Sequence, residues 1–173
     1  MEESVYLIGG RAVGKSSIGV KLAGKFGCEF LDTDALITDE CGCSVAEIAD
    51  REGWQIFREY EKRALQYLVG QKPCVVATGG GAILHRDVWQ DLKKTGKVVW
   101  LQANATILCE RLAGDHNSPG QRPSLTGKGI CQEIEAVLAE RNPLYRETAD
   151  YIIDSGKITI EEAVLEIERL CKE

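Results

Sequence analysis

No segment of this chain stays apolar long enough to cross a membrane, no tract is densely basic, and histidine occurs only 2 times in 173 residues. Each shortage removes a class of function. A spanning helix needs roughly 20 predominantly apolar residues, whereas the first apolar run covers only residues 5–8. Glu2 and Glu3 stand where a secretory leader would be positively charged, so the chain reads as cytoplasmic and without a membrane partner. Against 21 Lys and Arg it carries 27 Asp and Glu, for a formal net charge of -6. A nucleic-acid groove is therefore not expected, and individual arginines must do any anion binding. Trp54, Phe57 and Tyr60 cluster near Arg58 in sequence, but a pocket wall and a helix core account for them without a base-stacking platform. His85 reads as a helix-start or packing residue and His116 as a solvent-exposed one.

Cysteine, at 7, is not scarce, but its spacing lacks a metal pattern. Cys41 and Cys43 are separated by one residue, whereas zinc pairs are usually separated by two to four and need further ligands. Cys28, Cys74, Cys109, Cys131 and Cys171 are scattered. The odd count, with no leader, predicts reduced thiols.

The chain is 44% hydrophobic, and at this length it can bury about two thirds of its unfolded surface around one core. That predicts a single domain over 1–173. Residues 5–8 read as a buried strand followed by a glycine-containing turn and a helix, whose Ile18, Leu22 and Phe26 recur every four residues until Gly27. Residues 28–34 read as a second strand, 74–78 as a third, 97–101 as a fourth and 151–153 as a fifth. Between them lie helical patterns: a short one capped by Ser44 and Glu47, then 52–68, a segment running to Lys93, 105–112, and a last one capped by Thr159 and Glu162. Ile160, Val164, Ile167 and Leu170 give that last helix a core face. Alternating units of this kind imply a mostly parallel α/β sandwich of three layers. No separate apolar stripe is evident, so a monomer is expected. Residues 114–129, with Pro119 and Pro123 and few large apolar side chains, read as a mobile lid outside the core.

The motif at 9–16, GGRAVGKS, has the full Walker A spacing, with Gly9, Gly14, Lys15 and Ser16 between a strand and a helix. Its backbone N–H groups and the helix end can cradle phosphates, Lys15 can neutralise β- and γ-phosphate charge, and Ser16 can ligate Mg²⁺. Asp32 and Asp34, two apart on a strand, would point to a similar side. One could hold water around Mg²⁺ while the other orients or deprotonates an attacking hydroxyl. Arg58 and Glu61, three apart on a helix, can pair. On the surface that pair is worth only ~0.3 kcal/mol. Facing an anionic substrate, Arg58 instead becomes a carboxylate receptor oriented by Glu61. Arg141, placed near a helix end after Ile130, Ile134, Val137 and Leu138, could form a second anion clamp. Arg122, in the candidate lid, could reach inward on closure and help exclude water. The run Gly79, Gly80, Gly81 permits close approach to a substrate.

Taken together, these landmarks resemble the shikimate kinases over essentially the whole chain: GGRAVGKS at 9–16, FLDTD at 30–34, GWQIFREYE at 53–61, TGGGA at 78–82, RPSL at 122–125 and RNPLYRETA at 141–149. The resemblance implies a P-loop fold with a five-stranded parallel sheet in order 2-3-1-4-5. It implies transfer from ATP to the 3-hydroxyl of shikimate, giving shikimate 3-phosphate and ADP. Residue by residue, it implies that Asp34, Arg58, Gly80 and Arg141 bind shikimate and that Lys15, Asp34 and Arg122 serve catalysis. Nucleotide contacts would come from Gly9, Ala12, Val13, Gly14, Lys15, Ser16, Ser17, Arg111 and Arg122, with Mg²⁺ held by Ser16 and, through water, Asp32. The acceptor-binding helical region would be 33–62. The chain departs from the family pattern at Ala12, usually glycine, and at Ser124, usually leucine. A methyl group at Ala12 is compatible with the loop if that residue keeps negative φ. A kinase for gluconate or a nucleoside monophosphate, and a nucleotide-binding regulatory protein that has lost transfer, are the competing readings.

Overall fold

In a computed structural model that describes residues 2–114 and 129–172, the apolar runs form five strands: β1 (Ser4–Ile8), β2 (Phe30–Asp32), β3 (Val75–Ala77), β4 (Gly96–Gln102) and β5 (Tyr151–Asp154). All pair in parallel, in the order β2-β3-β1-β4-β5. This is the order the family resemblance implies. The helices are α1 (Lys15–Phe26), α2 (Thr33–Cys41), α3 (Val45–Leu68), α4 (Arg86–Leu92), α5 (Ala105–Gly114), α6 (Ile130–Thr148) and α7 (Ile160–Lys172).

The central strand explains the layering. Successive side chains of a strand point to opposite faces, and every residue of β1 is buried. Val5 and Leu7 pack with Ile18 and Leu22 of α1 and with Val164 and Ile167 of α7. Tyr6 and Ile8 pack with Leu65 and Leu68 of α3, Trp89 of α4 and Tyr145 of α6. Helices therefore cover both faces, as a parallel sheet requires. A third, smaller core joins α2 to α3 through Ile37, Val45, Ile48, Phe57 and Ala64. Among the described residues no helix is long and apolar enough to cross a membrane.

The capping motifs are formed. Ser44 Oγ accepts from Glu47 N at 3.2 Å while Glu47 Oε2 accepts from Ser44 N at 2.7 Å, and Thr159 and Glu162 repeat the arrangement. Gly27 ends α1 in the left-handed region at φ 64°.

Three boundaries differ from the sequence reading. Strand β2 is three residues long, because Asp32 turns its carboxylate onto Asp34 N at 3.0 Å and caps α2, so residues 33 and 34 begin a helix instead of ending the strand. The two helical patterns capped at Ser44 and running to Leu68 join into α3 across a kink at Gly53, which adopts φ 87° and ψ 162°. Helix α6 continues through Pro143 to Thr148, so Arg141 lies well inside it rather than near its end. A proline loses one helical hydrogen bond and usually signals a boundary; here buried Tyr145 anchors the following turn in the core beneath Trp100, with ring centres 5.8 Å apart.

The cysteines also correct the expectation of thiols alone. Cys109 of α5 and Cys131 of α6 are joined, with Cα atoms 5.5 Å apart, because α5 and α6 pack side by side, a proximity that a separation of 22 residues does not reveal. The remaining cysteines, Cys28, Cys41, Cys43, Cys74 and Cys171, are unpaired. Titration of the denatured, unreduced protein should therefore find five reactive thiols, and Cys109→Ser should add one by releasing Cys131. Reduction should lower the unfolding free energy by roughly 3 kcal/mol, the effect of opening a loop of this size in the unfolded chain. Seven reactive thiols before reduction would contradict the bond.

Candidate active site

The loop between β1 and α1 is shaped by two close constraints. Gly9 has φ 138°, and a Cβ there would lie 2.2 Å from the Leu101 carbonyl oxygen of β4. Gly14, at φ 96°, starts α1 without a side-chain cap, and no acidic residue occupies the first turn. The leading N–H groups of α1 thus keep their affinity for an anion. Lys15 Nζ donates to the carbonyl oxygens of Gly9 at 2.9 Å and Gly10 at 2.6 Å, arching over the loop. Val13 is buried in the core while Ser16 and Ser17 are exposed, so Val13 offers a ligand its backbone alone. Ala12 overturns the negative-φ expectation: its φ is 61°. Left-handed backbone crowds a Cβ against the carbonyl oxygen, at a cost of roughly 1–2 kcal/mol.

Ser16 Oγ donates to Asp32 Oδ2 at 2.7 Å, linking the start of α1 to the end of β2. Asp34 lies in the first turn of α2, so helix geometry rather than strand alternation places the two carboxylates, and both line one pocket with Ser16. Arg111 reaches from α5 with Nη1 donating to Ala12 O at 3.2 Å and Nη2 to Ser155 O at 2.7 Å. It thereby borders a shallow pocket with Gly14, Ser17, Ile158 and Ile160.

A second pocket opens beside Gly10 and is walled by Trp54, Phe57, Arg58, Gly80, Gly81 and Arg141, with Leu108, Leu112, Ile134 and Leu138 supplying an apolar side. Arg58 donates from Nη1 to Glu61 Oε2 at 2.6 Å, and Glu61 is only 1% exposed. This is a buried ion pair, not the weak surface pair that spacing alone allows. The guanidinium carbon of Arg58 lies 5.4 Å from the Phe57 ring centre and 5.8 Å from that of Trp54. Tyr60 instead turns away to meet Arg63 at 4.5 Å and packs with the α2–α3 core.

The three glycines after β3 each permit a separate approach. A Cβ on Gly79 would sit 2.7 Å from Glu61 Oε1 and 2.9 Å from Asp34 Oδ1. One on Gly81 would overlap Arg58, with Nη1 at 1.8 Å. Gly80 holds its carbonyl against Tyr145, whose hydroxyl donates to it at 2.5 Å. Burial pushes the Tyr145 hydroxyl up to about 12, so it keeps its proton. Arg141, 9% exposed, brings a second guanidinium to this pocket, and its buried Nε has no hydrogen-bond partner among the described residues. A buried donor in that condition costs roughly 1–3 kcal/mol until an acceptor arrives. Sequence reasoning missed Gly81 as the seat of Arg58 and His85 as a neighbour of Glu61, with His85 Nε2 3.1 Å from Glu61 Oε2. The Gly79 to Gly81 run was a visible signal for the first; nothing local signals the second. Arg122, His116 and Ser124, with most of the 114–129 segment, lie outside the described residues.

The sequence model of one family, shikimate kinase, matches residues 11–172. "Shikimate kinase 2" of Yersinia enterocolitica is 46% identical over 155 residues, covering 90% of this chain and 88% of its own. The shikimate kinase of Oleidesulfovibrio alaskensis is 46% identical over 153 residues, covering 88% of each. Among solved structures, the shikimate kinase of Acinetobacter baumannii in complex with shikimate superposes with a TM-score of 0.89 at 33% identity, over 97% of this chain and 92% of that one.

The strain at Ala12 is directly measurable. Ala12→Gly should raise the unfolding free energy by roughly 0.5–1 kcal/mol in denaturant titrations, since relief of the left-handed alanine outweighs the added freedom of the unfolded chain. An unchanged or lower midpoint would contradict the left-handed conformation.

Proposed function

Because the chain belongs to the shikimate kinase family, we propose that it transfers the γ-phosphoryl group of ATP to the 3-hydroxyl of shikimate, releasing ADP and shikimate 3-phosphate. One observation supports this reading most: Arg58 and Arg141 converge on one pocket beside the phosphate loop, with Arg141 only 9% exposed. Two guanidiniums so disposed suit a small carboxylate, which they can bind through paired N–H groups. Arg58 and Arg141 hold that carboxylate, while Asp34 and Gly80 engage the ring hydroxyls. The whole chain, 1–173, acts as a single kinase domain, with 33–62 as its acceptor-binding region and 114–129 as its lid.

The nucleotide lies along the loop, its phosphates against the N–H groups around Gly9, Ala12, Val13, Gly14, Ser16 and Ser17 and its base near Arg111. Lys15 exchanges the carbonyls of Gly9 and Gly10 for phosphate oxygens, and Arg122 from the lid joins it in neutralising charge on the transferring group. Asp34 orients the acceptor hydroxyl and accepts its proton as the oxygen attacks phosphorus in line with the departing ADP. Alignment and electrostatics carry the reaction without a phosphoenzyme.

Ser16 and Asp32 are hard oxygen donors already in contact, which fits Mg²⁺, an ion that binds one or two protein groups and completes its shell with phosphates and water. The described residues contain no cluster of three or more His, Cys, Asp or Glu suited to a metal, consistent with that mode. When bound, Mg²⁺ would neutralise phosphate charge; Ser16 would ligate it directly and Asp32 through water. The enzyme works in the cytoplasm as a monomer, independent of nucleic acid and membrane.

The direct test follows ADP release from ATP and Mg²⁺ with and without shikimate, with the product identified by mass. Shikimate-dependent release is expected, and preference for gluconate or a nucleoside monophosphate would overturn the assignment. Lys15→Ala should lower kcat by roughly 10²–10³ while the protein stays folded; turnover equal to the parent would contradict its role. Arg58→Ala should raise the KM for shikimate roughly a hundredfold without moving the KM for ATP. It should also lower stability by about 3 kcal/mol, because Glu61 loses its buried partner. Gly81→Ala should reproduce the KM effect by displacing Arg58; a normal KM for shikimate would reject the seat assigned to it.

A further inference from the structure

Position 85 is the N-terminal cap of α4, where Ser, Thr, Asp or Asn would ordinarily bond the helix's own leading N–H groups. His85 does not do this. Its backbone carbonyl accepts from Val88 N at 3.1 Å and Trp89 N at 3.3 Å, yet its side chain makes no capping bond. The ring turns toward α3 instead, and Nε2 lies 3.1 Å from Glu61 Oε2, with His85 12% and Glu61 1% exposed.

That oxygen is the same one that receives Arg58 Nη1 at 2.6 Å. An ionised carboxylate oxygen can only accept, so Nε2 carries the proton in this contact. Glu61 Oε1 faces the Gly79 turn, where a Cβ would stand 2.7 Å away. The carboxylate is thus located from three sides: the α3 backbone, the glycine turn and the ring of His85. Arg58 in turn is seated flat against Gly81, with no space for a methyl group between them. Among the neighbouring charged groups, Asp34 Oδ1 stands at the same Gly79 turn as Glu61 Oε1 and Arg141 lies beyond Gly80, while others are engaged elsewhere. Lys62 pairs with Asp87 at 2.6 Å, Arg86 pairs with Glu147, and the Tyr145 hydroxyl is committed to Gly80.

We propose that His85 is a positioning residue for the acceptor site: by fixing Glu61 Oε2 it fixes the orientation in which Arg58 meets the carboxylate of the substrate. It touches neither substrate nor nucleotide, and the inference rests on the assignment of shikimate as acceptor. Without the ring, Oε2 keeps its bond to Arg58 and can swing with it, so the guanidinium no longer presents its N–H groups at one fixed angle. The consequence is confined to the acceptor side, because the phosphate loop contacts none of His85, Glu61 or Arg58 through the bonds described above.

Two substitutions separate this role from simple helix capping. Asn is a better cap than His, but its amide stands near the Nδ1 position and falls short of Glu61; Gln places an amide N–H where Nε2 is. His85→Asn should keep the fold and the KM for ATP, hold kcat within about twofold, and raise the KM for shikimate about tenfold. His85→Gln should restore the KM for shikimate to within about twofold of the parent. Parent-like values in both variants, an equal defect in both, or a loss shared between the two substrates' KM values would overturn the positioning role. A parent that ignores shikimate overturns the functional assignment and this inference together; a parent that uses shikimate while His85→Asn matches it overturns the inference alone.

Discussion

The acceptor side of this protein depends on one carboxylate kept out of water. Glu61 sits in the part of α3 that follows the Gly53 kink, buried to 1% exposure, and holds Arg58 at 2.6 Å. Removing two charges from water costs several kcal/mol per ion before their attraction repays it. The pair is therefore a poor device for stability alone and a good one for fixing direction. Everything around it serves that direction: Gly79 leaves room for the carboxylate, Gly81 leaves room for the guanidinium, and Phe57 and Trp54 offer their rings to its cation. The α2–α3 core beneath keeps this segment rigid even though Gly53 kinks the helix.

Topology then brings the acceptor pocket to the phosphate loop. In a parallel sheet the strands all finish at one end, and ligands collect there. β1 runs into the phosphate loop, its neighbour β3 into the glycine turn, and the next strand, β2, into Asp32 and Asp34. The separation between donor and acceptor sites is thus set by strand spacing, which is nearly invariant. On the other side, Leu101 of β4 crowds Gly9 so closely that no side chain fits. Arg111 then ties the loop to the residues after β5.

Much of this was legible in the sequence because its signals are local. Ile18 and Leu22 at helical spacing, the Ser44 and Glu47 cap, Gly27 as a helix end and the apolar run of β1 all act within a few residues, and tertiary packing agrees with each. The Walker spacing and the glycine run were equally readable as motifs. What could not be read was decided at long range. Asp32 caps α2 where the sequence reading carried the strand on to residue 34, and Pro143 is carried inside α6 by the burial of Tyr145. The joining of Cys109 to Cys131 follows from the packing of α5 on α6, and the partner of His85 lies 24 residues away. Ala12 shows the limit from another direction: alanine is an unfavourable choice for φ 61°, so propensity argued against the conformation that the loop imposes.

The account turns on the claim that the pocket of Arg58 and Arg141 recognises a carboxylate. Calorimetric comparison of shikimate with its methyl ester, which keeps the ring and hydroxyls but removes the negative charge, isolates that claim. The ester should bind at least about a hundredfold more weakly, since two charge-assisted guanidinium contacts are lost together. Equal affinity for the acid and the ester would contradict it and place the recognition of this substrate elsewhere.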